Sequence, residues 1–270
     1  MDRQPLTPIP PAPPAKAAFT ARVRERFGRR ARAYRQHAPL QRAVAWRLAH
    51  LLVRQLGEQG ALPAGPAADL GAGSGLLGEA LQQQGLAFPL LQLDLCPELL
   101  AVNPLARRHS QCLWDLNAGL PAELQGASLL CSSFALQWLD DPAAQLKLWC
   151  DHLAPGGWLA LALPTAGSFS LWHRAAAAAR VPFTGLALPA GEPLLAVAER
   201  HLELDHRQLL RFSQHQGGGR RFFMSLRAIG AVGGRGPRLG TSEWRRLLQH
   251  WPSDEGITWT VLLLIGRRRR

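Results

Sequence analysis

Lysine is nearly missing from this 270-residue chain: Lys16 and Lys147 stand against 29 arginines among its 31 Lys and Arg residues. Tyrosine occurs once, at Tyr34, and methionine twice. Four cysteines (Cys96, Cys112, Cys131, Cys150) form no CxxC pair. That argues against a disulfide framework or a zinc site and fits buried free thiols in a reducing compartment. No apolar run reaches the roughly 18–20 residues that cross a bilayer, so no helical membrane span is expected. Met1–Pro14 is Pro-rich without an apolar core, so it does not read as a secretory leader, and a cytoplasmic location is expected. Apolar residues make up 47% of the chain. That is enough to bury a core, and it excludes global disorder and collagen.

The charge is present but uneven. The formal net charge is +12. Lys16–Arg54 holds eleven basic residues against one acid, Glu25, and Arg220–Arg246 holds seven against Glu243. Arg267–Arg270 forms a basic tail, whereas Glu58–Phe212 carries eight basic and fourteen acidic residues. Basic ends around a mildly acidic middle can steer an acidic partner. Nucleic acid is not favoured, because no helix-turn-helix, zinc-finger or RNP-type pattern accompanies the charge.

Hydrophobic period divides the chain. After a Pro-rich arm (1–16), helical spacing of Phe19, Val23, Phe27, Ala31 and Tyr34 predicts one helix over 17–36. Pro39 opens a second, with Leu40, Val44, Leu48 and Leu51 on one face. Short apolar strands then alternate with helices: strands at 67–70, 88–93, 111–116, 127–132 and 157–163, helices at 75–84, from Pro97, and at 141–153. This alternation predicts an α/β, doubly wound, mostly parallel sheet with right-handed crossovers. Beyond 165, helices near 168–179, 191–200, 220–230 and 241–250 surround a strand at 202–212, and Ile257–Ile265 is a final strand. The expected organisation is a single domain over 17–266. Its parts are a helical lid (17–57), a nucleotide-binding core (66–164) and substrate-side helices (165–250), with a basic tail at 267–270.

The chemistry centres on Asp69-Leu70-Gly71-Ala72-Gly73-Ser74-Gly75, where a strand turns into a helix. Glycines let a ligand approach the backbone, and the helix start offers free N–H donors. Asp94, at the end of the next strand, suits the two hydroxyls of a ribose. Asp115, at the end of the third, suits an adenine amino group. Gly73-x-Gly75-x-x-Gly78 also satisfies a dinucleotide fingerprint, so a nicotinamide-dependent dehydrogenase is the alternative reading. S-adenosylmethionine is favoured: an acid directly before the glycines repels a pyrophosphate but attracts the methionyl ammonium. His152, His173 and His206 lack metal-ligand spacing, so no metal is expected.

Three further segments are more specific. Phe27-Gly28-Arg29 followed by Tyr34-Arg35-Gln36-His37-Ala38-Pro39-Leu40-Gln41 resembles the pattern F-x-R-A-A-x-x-Y-x-x-H-A-x-L-Q. Ser132-Ser133-Phe134-Ala135-Leu136-Gln137-Trp138 resembles S-N-x-A-L-Q-W, and Ser225-Leu226-Arg227-Ala228-Ile229-Gly230-Ala231 resembles L-[KR]-x-[IL]-G-A. Together they resemble the malonyl-acyl-carrier-protein O-methyltransferases of biotin synthesis, the BioC family of class I S-adenosylmethionine-dependent methyltransferases. The resemblance implies a Rossmann-like sheet with an antiparallel last strand and methylation of the free carboxylate of a malonyl thioester. The partner it implies is an acidic acyl carrier protein, and the product is the primer for pimeloyl and biotin synthesis. It implies cofactor contacts from Asp69, Gly71, Gly73, Gly75, Asp94, Asp115, Ser132, Tyr34 and His37, and substrate contacts from Arg227, Gln137, Trp138 and Tyr34. Arg227 is the expected clamp on the malonyl carboxylate. A carboxylate is already ionised near neutrality, so no general base is expected. Ser133 departs from the family's Asn, and Trp259 stands where many relatives have Tyr. Another S-adenosylmethionine-dependent methyltransferase of the same branch remains open.

Overall fold

The computed structural model of the chain describes residues 14–269, apart from 87, 109, 216, 237, 253 and 254. Most of the Pro-rich arm therefore lies outside the described residues. Three helices come first: α1 (Pro14–Gly28), α2 (Ala31–His37) and α3 (Pro39–Gln59). The alternating part runs β1 (Ala67–Leu70), α4 (Leu76–Gln83), β2 (Leu91–Asp94), α5 (Pro97–Val102), β3 (Gln111–Leu113), β4 (Ala127–Ser133), α6 (Pro142–His152) and β5 (Leu153–Pro164). It is followed by β6 (Ala166–Phe169), α7 (Ser170–Ala178), α8 (Gly191–His201), β7 (Leu202–Gln214), α9 (Gly219–Ala228), α10 (Thr241–Gln249) and β8 (Ile257–Arg268).

Seven strands form one sheet in the order β3-β2-β1-β4-β5-β8-β7. β1 to β5 pair in parallel, and β8 runs antiparallel to both β5 and β7. The alternation of side chains along each strand builds two cores. Leu129, Cys131, Ala160, Ala162, Val261, Leu263 and Ile265 face α3, α4 and α7, while Leu130, Leu159, Leu161, Leu163, Leu262 and Leu264 face α6 and α8. Burial on both faces is why these strands read as unbroken apolar runs.

The expected single helix over 17–36 is two helices. The chain turns at Gly28–Arg30, where Gly28 packs so closely on Glu98 that a Cβ would lie 2.8 Å from Oε2. This bend brings Phe27 and Tyr34 to a ring separation of 6.1 Å. The strand expected from residue 88 starts at Leu91. The strand expected to reach residue 116 stops at Leu113, because the Asp115 side chain caps a 3₁₀ turn by accepting from Asn117 N. No helix of the described residues is long and apolar enough to cross a membrane.

Candidate active site

Parallel strands deliver their C-terminal residues to one edge of the sheet, and there β1, β2 and β4 border a cavity. Asp69, Gly71, Gly73, Asp94, Asp115, Ser133 and Trp138 line it, with Phe27 and Tyr34 from the first two helices. The glycines divide the labour. Gly75 has φ 87°, and a Cβ there would lie 2.4 Å from Asn103 Oδ1, an atom already accepting from Leu105 N. Gly73 has φ 52° with nothing closer than 3.9 Å to an added Cβ, so its face is open to a ligand. Gly75→Ala should therefore cost about 2 kcal/mol of folding stability in urea unfolding, with Gly73→Ala costing about half as much. Equal losses would contradict this division.

Asp94 anchors the loop. Its Oδ2 accepts from Gly73 N at 2.8 Å and its Oδ1 from Cys96 N at 2.7 Å. Burial pushes its pKa up to about 6, against the pull of those N–H donors. Asp69 is 1% exposed, and its Oδ2 has no hydrogen-bond partner. Burial first, and the Asp94 charge second, push its pKa up to about 7, opposed by the Gly78 N–H. Burial, reinforced by the Asp94 charge, likewise raises the Tyr34 hydroxyl above its ordinary range. A buried carboxylate oxygen with no partner beside a positive-φ glycine loop fits a cationic ligand group. The acidic pair repels a pyrophosphate, which counts against the dinucleotide alternative. The residues present thus fit S-adenosylmethionine, which Asp69 could hold at its ammonium, Asp94 at its ribose and Asp115 at its adenine.

Asp115 lines the cavity, with Oδ1 already held by Asn117 N and Nδ2 at 2.9 and 3.0 Å. Three expected contacts fall elsewhere, the first being Gly75, which packs on Asn103 and does not line the cavity. Ser132 is fully buried and its hydroxyl donates to Leu70 O at 2.7 Å, so it ties β4 to β1; it is the next residue, Ser133, that lines the cavity, with an unpartnered buried Oγ. The one-residue offset follows from the two faces of a strand. His37 ends α2 exposed to solvent and off the cavity. Its neighbour Arg35, unremarked in the sequence, reaches inward instead: it donates to Ser74 O at 2.8 Å and pairs with Glu79 at 2.6 Å, fastening α2 over the start of α4.

A second cavity adjoins the first. Phe27, Tyr34, Gln41, Phe134 and Trp138 line both. Phe134 follows β4 with φ 59°, an unfavourable backbone for a bulky residue, held by its N–H to Ala162 O and its C=O to Gln137 Nε2. Trp138 meets Phe27 edge-on at 5.3 Å. Phe169, Trp172, Leu188, Leu226 and Trp259 complete an apolar wall, and Gln137 contributes a buried Oε1 without a partner. Among the described residues, none that lines this cavity is charged. Arg227, the expected carboxylate clamp, is on the exposed face of α9 and lines a separate basin with arginines of α1. The helical period explains it: Leu226 and Ile229 turn inward, which sends Arg227 out.

This sheet order and edge cavity define the class I methyltransferase fold. The YcgJ protein of Bacillus subtilis shares it with a TM-score of 0.53 at 12% identity, over 83% of this chain and 99% of that one. A SAM-dependent methyltransferase of Thermotoga maritima shares it with a TM-score of 0.52 at 13% identity, over 92% and 100%. The family described as "Methyltransferase domain" matches residues 68–161.

Within that class, the chain is similar to malonyl-[acyl-carrier protein] O-methyltransferases. That of Alcanivorax borkumensis is 38% identical over 56% of this chain and 52% of its own length. The Biotin biosynthesis bifunctional protein BioCD of Bordetella avium is 31% identical over 92% of this chain and 52% of its own length. The chain thus spans about half the length of these two relatives. The enzyme of Erwinia billingiae is 28% identical over 86% of this chain and 90% of its own.

Proposed function

We propose that the chain transfers a methyl group from S-adenosylmethionine to the free carboxylate of a malonyl thioester carried by an acyl carrier protein, in a cytoplasmic route to biotin. The observation that carries this reading is the junction of two unlike cavities: an acidic one suited to a sulfonium nucleoside, and an apolar one suited to an acyl group. The named relatives support the substrate assignment. Bound S-adenosylmethionine supplies an electrophilic methyl group. Asp69, Gly73, Asp94 and Asp115 hold the cofactor, and Tyr34, Phe134 and Trp138 form the passage between donor and acceptor.

The acceptor carboxylate needs positioning and little else. It is ionised near neutrality, and attack of an anion on a sulfonium neutralises charge. Water around the carboxylate slows that step, and a dry aromatic wall removes the water. A guanidinium clamp would also hold the anion back by stabilising the ground state. Neutral donors, Tyr34 Oη at the junction and Ser133 Oγ in the wall of the first cavity, orient an oxygen at smaller cost to its nucleophilicity.

The test is methyl transfer from labelled S-adenosylmethionine to malonyl-acyl carrier protein, with release of label by mild alkali as expected of an ester. With the cofactor saturating, kcat/KM for the acceptor should stay level from pH 6 to pH 9, within about twofold, because no base must lose a proton. A rise of about tenfold per pH unit would point to a phenol or amine acceptor and overturn the reading.

A further inference from the structure

A basin of about 790 Å³ lies on the far side of the segment that follows α9. The two arginine-rich ends of the sequence meet there. Arg22, Arg26 and Arg30 come from the α1–α2 region, Arg227 and Arg238 from the late helical region. No residue lining the basin, among those described, is acidic. Two further arginines in its wall do have acids, Arg29 with Glu25 and Arg235 with Asp140. Arg26 is committed to the carbonyls of Val232 and Gly233. Burial, and then the charges of Arg22 and Arg238, hold its guanidinium pKa below the usual value. Crowded guanidinium groups without carboxylates are an electrostatic cost that a bound polyanion relieves.

The wall between basin and acceptor cavity is one short stretch of chain. Leu226, Ile229 and Ala231 line the acceptor cavity, and Arg227, Gly230 and Val232 line the basin. A ligand straddling this stretch has an acyl end in the apolar cavity and an anionic end among the arginines. We propose that the basin binds the phosphate of a phosphopantetheine arm, with the phosphodiester of a carrier protein as its source, while the malonyl thioester at the other end of the arm enters the acceptor cavity. The inference rests on the malonyl thioester reading above. It also gives Arg227 a role other than the expected clamp: the guanidinium fork matches phosphate oxygens bidentately. Arg30, exposed and in none of the ion pairs named above, is free to meet acidic side chains of the carrier itself.

The experiment compares wild type with the double variant Arg227→Gln/Arg238→Gln, two exposed positions. Four malonyl thioesters are assayed: pantetheine, 4′-phosphopantetheine, coenzyme A and acyl carrier protein. In wild type, the phosphorylated arm should exceed the unphosphorylated one in kcat/KM by about tenfold or more, the value of one charge-assisted contact. In the variant that ratio should fall to about one, with a parallel rise in KM for the carrier-bound substrate. No phosphate advantage in wild type, or an undiminished one in the variant, overturns the proposal. A loss confined to coenzyme A overturns the carrier as the source. If no malonyl thioester is methylated, the reading of the reaction fails, and titration of 4′-phosphopantetheine against pantetheine still decides the basin. Binding of the phosphorylated compound by wild type but not by the variant supports it; equal binding by both rejects it.

Discussion

Asp94→Ala should weaken S-adenosylhomocysteine binding by at least about 100-fold. The Asp94 carboxylate is only 9% exposed and accepts two backbone N–H bonds, from Gly73 and Cys96. Each such bond to a charged acceptor contributes about 1.5–3 kcal/mol, and loss of one partner leaves a buried donor unsatisfied. The alanine variant therefore loses the posture of the glycine loop together with the ribose contact proposed for this side chain. Asp94→Asn separates the two. An amide oxygen still accepts one of the N–H bonds, but the amide NH₂ replaces the other acceptor, so an intermediate loss of about tenfold is expected. Calorimetric titration gives the affinities, and thermal unfolding of the ligand-free variants shows whether the fold persists. A folded alanine variant that binds like wild type would remove the cofactor from this cavity.

The second large effect is on pH. Asp69 has a pKa pushed up to about 7 by burial and by Asp94, and Asp94 one pushed up to about 6. Both lie above the ordinary carboxylate value, so in the ligand-free protein the folded state holds these protons more tightly than the unfolded chain. Their contribution to stability is fully present below about pH 4 and is lost as pH rises through 6 and 7. A cationic ligand reverses the preference, because the ammonium favours the ionised carboxylate. Affinity for S-adenosylhomocysteine should rise between pH 5.5 and 7.5, by up to about tenfold per pH unit below the Asp69 pKa, and then level off. Titrations in buffers of differing ionisation enthalpy should count about one proton released on binding at pH 6. Asp69→Asn should bind more weakly at pH 7.5 and lose most of the slope. An affinity independent of pH in wild type would mean that the ammonium does not meet Asp69. This effect is separate from the level acceptor profile, which is measured with the cofactor already holding Asp69 ionised.

Much of this was legible in the chain itself, for a local reason. β1, β4, α4, α6 and the late helices fall within a few residues of the positions that period and turn residues indicate, because burial on both faces of a sheet imposes apolar runs. Asp69, Gly71, Gly73, Gly75, Asp94 and Asp115 are recognisable because strand ends and positive-φ turns demand particular residues at particular places. The opening helix is not continuous, although its apolar spacing persists through a bend that only the packing of Gly28 on Glu98 reveals. Ser132 and Ser133 are adjacent letters, and strand geometry alone sends one to Leu70 and the other to the cavity. His37 and Arg35 exchange expected importance for the same reason on a helix.

The amino-acid sequence by itself therefore determined the alternation of strands and helices in the middle of the chain, the sheet class and most residues at the carboxyl edge, because those depend on neighbours within a few positions. Only the tertiary structure decided which arginines share a basin and which cavity lacks charge. Residues 22–30 and 227–238 are some 200 positions apart, and their meeting depends on how α2 packs on α9 and how the end of α1 meets the segment after α9, rather than on any local preference of the chain.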